Sequence, residues 1–191
     1  LLHVDDIVVL CLTLNLISID MQIETERLIL RRFTTDDAEE YFPLVADPAV
    51  NRYTGQNLVQ TVEQVRQLLL DLPIRDYEVI GYGRMACIEK SSGRLIGFSG
   101  MKYLPEFQEP DVGYRFVQDA WGKGYATESA SVLMQQCIRD FKLRRVIGLV
   151  DRNNLGSSNV LKKLGLNFER EIKVDGYPTN LDFYGLDIAP A

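Results

Sequence analysis

The sequence predicts a mixed α+β domain, a twisted sheet flanked by helices. Short apolar runs of strand length alternate with segments whose apolar residues repeat at helical spacing. The 191 residues, 46% hydrophobic and 25% charged, suit one well-filled core. Internal repeats and low-complexity linkers are absent from the sequence, so nothing in it suggests a second unit.

From Met21 the elements follow in order. Arg27 to Arg31 reads as a strand, and the run Thr34-Thr35-Asp36-Asp37 supplies N-cap residues for a first helix. Thr61 to Leu70 carries a second helix with Val62, Val65 and Leu69 on one face. Three strands are predicted at Tyr82 to Ile88, Leu95 to Met101 and Val112 to Phe116, the first two joined by a turn at Ser91-Ser92-Gly93. A long helix runs from about Ala126 to Phe141, its stripe formed by Ala126, Ala130, Leu133, Met134, Cys137, Ile138 and Phe141. Arg145 to Val150 has the pattern of a buried strand, and Ser157 to Leu164 that of a short helix ended by Gly165. Strands at Phe168 to Lys173 and Asp182 to Leu186 complete the domain. Residues 1–20 read as an upstream extension or expression artefact ahead of residues 21–191; the other reading is an extra element packed on the domain. Their apolar run, Ile7 to Leu12, follows Asp5 and Asp6 and is too short to span a bilayer.

Composition excludes several functions. With 27 acidic against 21 basic residues and a net charge of −6, diffuse binding to nucleic acid or an anionic membrane is not expected. Three widely spaced cysteines, Cys11, Cys87 and Cys137, fit reduced thiols of a cytoplasmic protein rather than a zinc ribbon or disulfide framework. Cys87 and Cys137 fall on strand and helix-core patterns, as packing residues rather than nucleophiles. The one histidine is His3, so proton transfer falls to carboxylates, hydroxyls, lysines or water, and no metal site is expected.

Two segments carry chemistry. Trp121-Gly122-Lys123-Gly124-Tyr125-Ala126-Thr127 lies between a strand and the long helix. Its glycines allow a tight turn, and the helix start offers free N–H groups and a positive dipole end to a phosphate. It lacks the third glycine of a dinucleotide fingerprint and the Gly-Lys-Ser/Thr of a P-loop. In the second segment Asn154 and Ser157 follow the strand ending at Val150, where capping the short helix explains both.

Together these segments resemble the GNAT superfamily of acyl-CoA-dependent N-acyltransferases, and most nearly its RimJ/RimL branch of ribosomal-protein and small-molecule acetyltransferases. The likeness runs from Ile23 to Leu186. It includes Glu24-Thr25-Glu26-Arg27-Leu28-Ile29-Leu30-Arg31, Asp111-Val112-Gly113-Tyr114-Arg115-Phe116, the Trp121-to-Glu128 turn, and Asn154-x-x-Ser157 leading to Lys163-Leu164-Gly165.

The resemblance implies the GNAT fold, with a V-shaped splay between strands 4 and 5, here the strands of Val112 to Phe116 and Arg145 to Val150. It implies acetyl-CoA as cosubstrate, with direct attack by a primary amine of a small molecule or a protein N-terminus, in a monomer or homodimer. The diphosphate falls to Trp121, Gly122, Lys123, Gly124, Tyr125, Ala126 and Thr127, with Trp121 where the wider superfamily has glutamine or arginine. Pantetheine falls to the backbone of Tyr114 and Phe116, as an added strand, and to Asn154 and Ser157. A backbone N–H near Tyr114 or Phe116 polarises the thioester carbonyl. Asp111 is the first candidate base, with Glu106 and Glu109 as alternates, all three equally readable as a solvated acidic loop. Many relatives place a tyrosine seven residues after the asparagine to protonate the leaving thiolate; here Leu161 occupies that position. Ser157 is the substitute acid, with Tyr177 and Tyr184 as remoter options. Asn51-Arg52-Tyr53-Thr54 reads as either an acceptor-pocket segment or a surface turn. Two further readings stay open: a non-catalytic acyl-CoA sensor or partner-binding module on this fold, and a nucleotide-binding module using Gly122, Gly124 and Asp151.

Overall fold

A computed structural model describes residues 22–55, 58–177 and 179–189. The predicted extension at residues 1–20, with His3 and Cys11, lies outside the described residues. The chain opens with β1 (Ile23–Glu24) and β2 (Leu28–Arg31), and Leu28 and Leu30 are fully buried. A 3₁₀ turn at Thr35–Asp37 leads into α1 (Ala38–Ala46). Thr34 and Asp37 form a reciprocal cap, with the Thr34 amide donating to Asp37 Oδ2 at 2.8 Å. A single helical turn, α2 (Pro48–Asn51), follows. Thr61 and Gln64 then cap α3 (Val62–Leu69), which buries Val65 and Leu69.

The sequence reading ends this helix at Leu70. In the structure the chain widens into a π turn at Leu70–Ile74, which contains Pro73, and continues as α4 (Arg75–Val79). Proline lacks an amide hydrogen and ordinarily interrupts a helix. The wider turn carries the chain past it.

Strands β3 (Arg84–Glu89), β4 (Leu95–Leu104) and β5 (Glu109–Phe116) follow as an antiparallel meander. After them come α5 (Tyr125–Phe141), β6 (Arg145–Asp151), α6 (Leu155–Lys163), β7 (Asn167–Ile172) and β8 (Leu181–Asp187). The eight strands form one sheet in the order β1-β2-β3-β4-β5-β6-β8-β7. Every neighbouring pair is antiparallel except β5–β6, which is parallel. The α+β expectation therefore holds, with β1 as an added short edge strand.

Hydrophobic burial fixes both faces of the sheet. On one face Phe33, Tyr41, Leu44, Val65, Leu69 and Ala86 join the sheet to α1 and α3. On the other, α5 covers Leu28, Leu30, Cys87 and Phe116 with Tyr125 and Leu133, and covers Met101, Val112 and Val146 with Ala130, Met134 and Cys137. Cys87 and Cys137 are both buried free thiols. Burial pushes the Cys137 thiol up to about 12 and that of Cys87 further in the same direction, so both stay protonated at neutral pH. Among the described residues, no helix is long and apolar enough to cross a membrane.

Leu161 belongs to this second core. It is 1% exposed, and its Cδ2 would lie 2.7 Å from a Cβ built on Gly148, so the leucine fills the space above the strand glycine. Leu161→Ala is expected to lower the unfolding free energy by about 2–5 kcal/mol in urea denaturation. A loss below about 1 kcal/mol would show that the site collapses freely around the deletion.

Candidate functional site

The parallel strands β5 and β6 meet at one ladder pair, Asp111 with Ile147, and then part. Beyond it Val112 to Phe116 and Leu149 to Asp151 line opposite walls of a cleft of about 940 Å³. The β4–β5 register decides which backbone groups face this opening. Val117 donates to the Ile96 carbonyl at 2.9 Å, and Phe116 pairs with Gly97 and Tyr114 with Ser99. Hydrogen bonding alternates along an antiparallel pair, so the N–H and C=O groups of Val112, Tyr114 and Phe116 point away from β4 toward β6. Among the described residues, Tyr114 and Phe116 meet no ladder partner there.

Side chains take over the work of the missing ladder. The Leu149 amide lies close enough to the Asp111 carboxylate to favour its ionised form, and Trp121 Nε1 donates to the Phe116 carbonyl at 2.7 Å. Asp111 is buried and its Oδ2 lies 2.5 Å from Arg84 Nη2. Burial raises its pKa above the usual carboxylate value despite the opposing Arg84 charge. Arg84 Nη1 also donates to the Gly100 carbonyl at 2.5 Å. A Cβ built on Gly113 would lie 2.3 Å from that same nitrogen, so the glycine leaves the passage through which Arg84 reaches Asp111.

At the mouth of the splay, Gly122 (φ 73°) and Gly124 (φ 87°) shape the turn into α5. A Cβ on Gly122 would meet open space. The first helix bond runs from Glu128 N–H to the Gly124 carbonyl, so the amides of Tyr125, Ala126 and Thr127 precede the helical ladder. All three residues line the cleft with Trp121, Gly122 and Gly124, whereas Lys123 is not among the lining residues.

A clamp from the start of β2 holds this turn. Arg27 donates through Nη1 to the Lys123 carbonyl at 2.8 Å, stacks 4.4 Å from the centre of the Tyr125 ring and pairs with Glu128 at 2.6 Å. Glu128 also accepts from the Arg27 amide at 3.0 Å and the Thr25 hydroxyl at 2.6 Å. Tyr125 in turn donates to Glu89 at 2.6 Å.

On the far wall Asn154 Oδ1 accepts from the Ser157 amide at 3.1 Å, capping α6 as expected. The Tyr114 hydroxyl donates to the Ser157 carbonyl at 2.9 Å and lies 3.1 Å from Ser157 Oγ. The fold thus brings Asp111, Tyr114, Phe116, the Trp121 turn, Asn154 and Ser157 onto one cleft, together with Glu106, Tyr53, Thr54 and Tyr177. The other alternates fall elsewhere. Glu109 faces Arg145 at 3.5 Å, and Tyr184 is 3% exposed beneath Phe168, so neither lines the cleft. Asn51 is a buried helix-end residue rather than part of a loop. Arg84, Arg115 and the Arg27–Glu128 clamp were not singled out by the sequence reading. Glycines inside predicted strands, at 100 and 113, were the available signal of a close approach.

Comparison with known proteins gives this geometry a context. The pattern of the acetyltransferase (GNAT) domain matches residues 27–167. An uncharacterized N-acetyltransferase, YoaA of Bacillus subtilis, is 27% identical over 169 residues, spanning 86% of this chain and 95% of its own. The crystal structure of a GNAT-family acetyltransferase from Bacillus anthracis superposes with a TM-score of 0.72 at 25% identity, covering 87% of this chain and 98% of that one. Ribosomal-protein-S5-alanine acetyltransferase from Vibrio fischeri shares the fold at a TM-score of 0.73 and 20% identity, covering 88% and 97%.

The Arg84 passage makes one substitution diagnostic. Gly113→Ala is expected to displace the guanidinium from Asp111 and to cost about 1–3 kcal/mol in urea unfolding. Unchanged stability would place Arg84 elsewhere in solution.

Proposed function

On the premise that this chain belongs to the GNAT acetyltransferase family, we propose that its cleft carries the acetyl group of acetyl-CoA to a primary amine. The observation that carries this reading is the parting of β5 from β6, with unpaired strand amides on one wall and a glycine-shaped helix start at its mouth. The cleft fits a long, partly anionic acyl donor in size, in backbone donors and in the positive helix end. Bound acetyl-CoA supplies the electrophilic thioester, and the chain supplies the rest.

The amides of the Gly122–Thr127 turn hold the diphosphate, with Trp121 bracing the turn and Lys123 contributing its backbone. Tyr114 and Phe116 present main-chain N–H groups to the pantetheine arm and to the thioester oxygen as negative charge develops there. Asn154 Oδ1 is engaged in capping, so its amide nitrogen serves the pantetheine. Asp111 accepts the amine proton through water, its elevated pKa bringing it closer to the amine's basicity. Ser157, backed by the Tyr114 hydroxyl, returns a proton to the leaving thiolate in place of the tyrosine that Leu161 replaces. A thiolate of pKa about 8.5 needs little assistance. Two finer assignments belong to the same reading. The RimJ/RimL-like placement draws on the Trp121-to-Glu128 motif, and a cytoplasmic setting on the two reduced, buried thiols. The catalytic unit is assigned to residues 21–191, and removing residues 1–20 is expected to leave soluble, acetyl-CoA-binding protein.

Acetyl-CoA is expected to raise the melting temperature, while NAD and ATP leave it unchanged; stabilisation by ATP alone would favour a nucleotide module. Thiol release from acetyl-CoA across a panel of amines then tests transfer, and binding with no release to any amine would favour a sensor. Gly124→Glu places a strained, negatively charged residue at the turn and is expected to abolish the acetyl-CoA shift; an intact shift would move the diphosphate elsewhere. The rate should climb as pH rises through the elevated Asp111 pKa, because only the carboxylate accepts the proton. Asp111→Asn should remove that limb, and a profile unaltered by the substitution would end the residue's role as base.

A further inference from the structure

The half of the cleft beside Asp111 is written on one face of the sheet. Register pairs align Arg84, Gly100 and Gly113 in one row across β3, β4 and β5, and Ala86, Phe98 and Arg115 in the next. Paired residues point the same way, so Arg84, Phe98 and Arg115 share a face. Arg84 and Arg115 stand with their guanidinium carbons 5.9 and 5.4 Å from the centre of the same Phe98 ring. Asp111 pairs with Arg84 at 2.5 Å, and Asp76 and Lys102 line the same cleft. Arg115 brings a further cation to this wall, and Glu106 lies on the loop between β4 and β5.

Arg115 is set in place with unusual care. Its Nη1 donates to Asn51 Oδ1 at 2.7 Å. Asn51 spends its amide nitrogen on the carbonyls of Leu44, Val45 and Asp47 at 3.0, 3.2 and 2.8 Å, so its oxygen has one direction left to face. Burial, with the like charge of Arg84 acting in the same sense, lowers the Arg115 pKa from its ordinary value. A half-buried guanidinium that lines a ligand cleft matches a carboxylate in charge and in its forked donor geometry. The adjoining wall is apolar: Leu68, Leu69, Leu72 and Pro73, presented by α3 and the π turn, line the same cleft.

Building on the acetyl-transfer reading above, we propose that the acceptor is a free amino acid with an apolar side chain. Its carboxylate pairs with Arg115, its side chain lies along Leu68, Leu72 and Pro73, and its α-amine is left facing Asp111 and the β5 amides. A peptide N-terminus offers a neutral amide where a free amino acid offers a carboxylate, so it brings no charge to Arg115.

The test is thiol release at saturating acetyl-CoA with leucine, methionine and phenylalanine, each beside its amide and a dipeptide beginning with the same residue. Rates are corrected for the fraction of neutral amine, since the amides are less basic. The acids are expected to exceed amides and dipeptides by about tenfold or more in kcat/KM, chiefly through KM. Arg115→Gln should collapse that ratio toward one and Arg115→Lys should restore part of it. Amides or dipeptides used as well as acids, or a ratio that survives Arg115→Gln, would overturn the proposal. If Arg115→Gln does not fold, the acid-to-amide ratio of the unaltered protein decides alone. Acetylation of other amines but of no amino acid overturns this inference and leaves acetyl transfer standing, whereas failure to bind acetyl-CoA overturns both.

Discussion

Two parallel strands that meet once and then separate set the terms for the rest of this molecule. A backbone group taken from its ladder and left buried costs about 1–3 kcal/mol, so a splay inside a sheet persists only where each exposed group finds another partner or water. Here the Trp121 indole takes the Phe116 carbonyl, and the Asp111 carboxylate lies beside the Leu149 amide. The amides of Tyr114 and Phe116 remain directed into the opening, available to a ligand that completes the strand pairing. One buried carboxylate therefore stands where the strands part, paired with Arg84 and placed where a proton must be received. The Arg84 charge and the glycine passage at 100 and 113 exist to keep that carboxylate in place.

The mouth of the cleft depends on the turn into α5. Left to itself, a loop with glycines at 122 and 124 samples many conformations, and ordering it on binding would cost affinity. Arg27 and Glu128 remove that freedom in advance by tying the Lys123 carbonyl, the Tyr125 ring and the start of β2 together. The Arg27 side chain is 40% exposed, so the ion pair itself contributes little in water; its geometry, with several bonds converging on one carboxylate, is what fixes the turn. Trp121 ties this turn to β5 through the Phe116 carbonyl, and Arg27 ties it to the start of β2.

What the sequence disclosed follows from the range of the forces involved. The long helix was visible because Ala130, Leu133, Met134 and Cys137 repeat at its period, and α6 because Asn154 caps it three residues before Ser157. These are local signals. The helical path through Pro73 was hidden, since proline ordinarily ends a helix and only packing against α1 and the sheet selects the π turn. Arg84 and Asp111 are 27 residues apart, and Arg115 and Asn51 are 64 apart, so their pairing depends on strand register. Glu109 and Asp111 looked alike as acidic residues before the strand. Both lie on one face of β5, but Glu109 opens the strand and meets Arg145, whereas Asp111, two residues further in, is buried at the splay beside Arg84.

The central claim concerns the amides of two residues, and amide hydrogen exchange reads them one by one. In the absence of ligand, Tyr114 and Phe116 should exchange much faster than Gly113 and Arg115, whose amides are spent on β4. Addition of acetyl-CoA should slow the two fast amides while the flanking pair barely changes. If Tyr114 and Phe116 are already protected without ligand and acetyl-CoA leaves them unmoved, β5 and β6 are closed in solution and this account of the cleft fails.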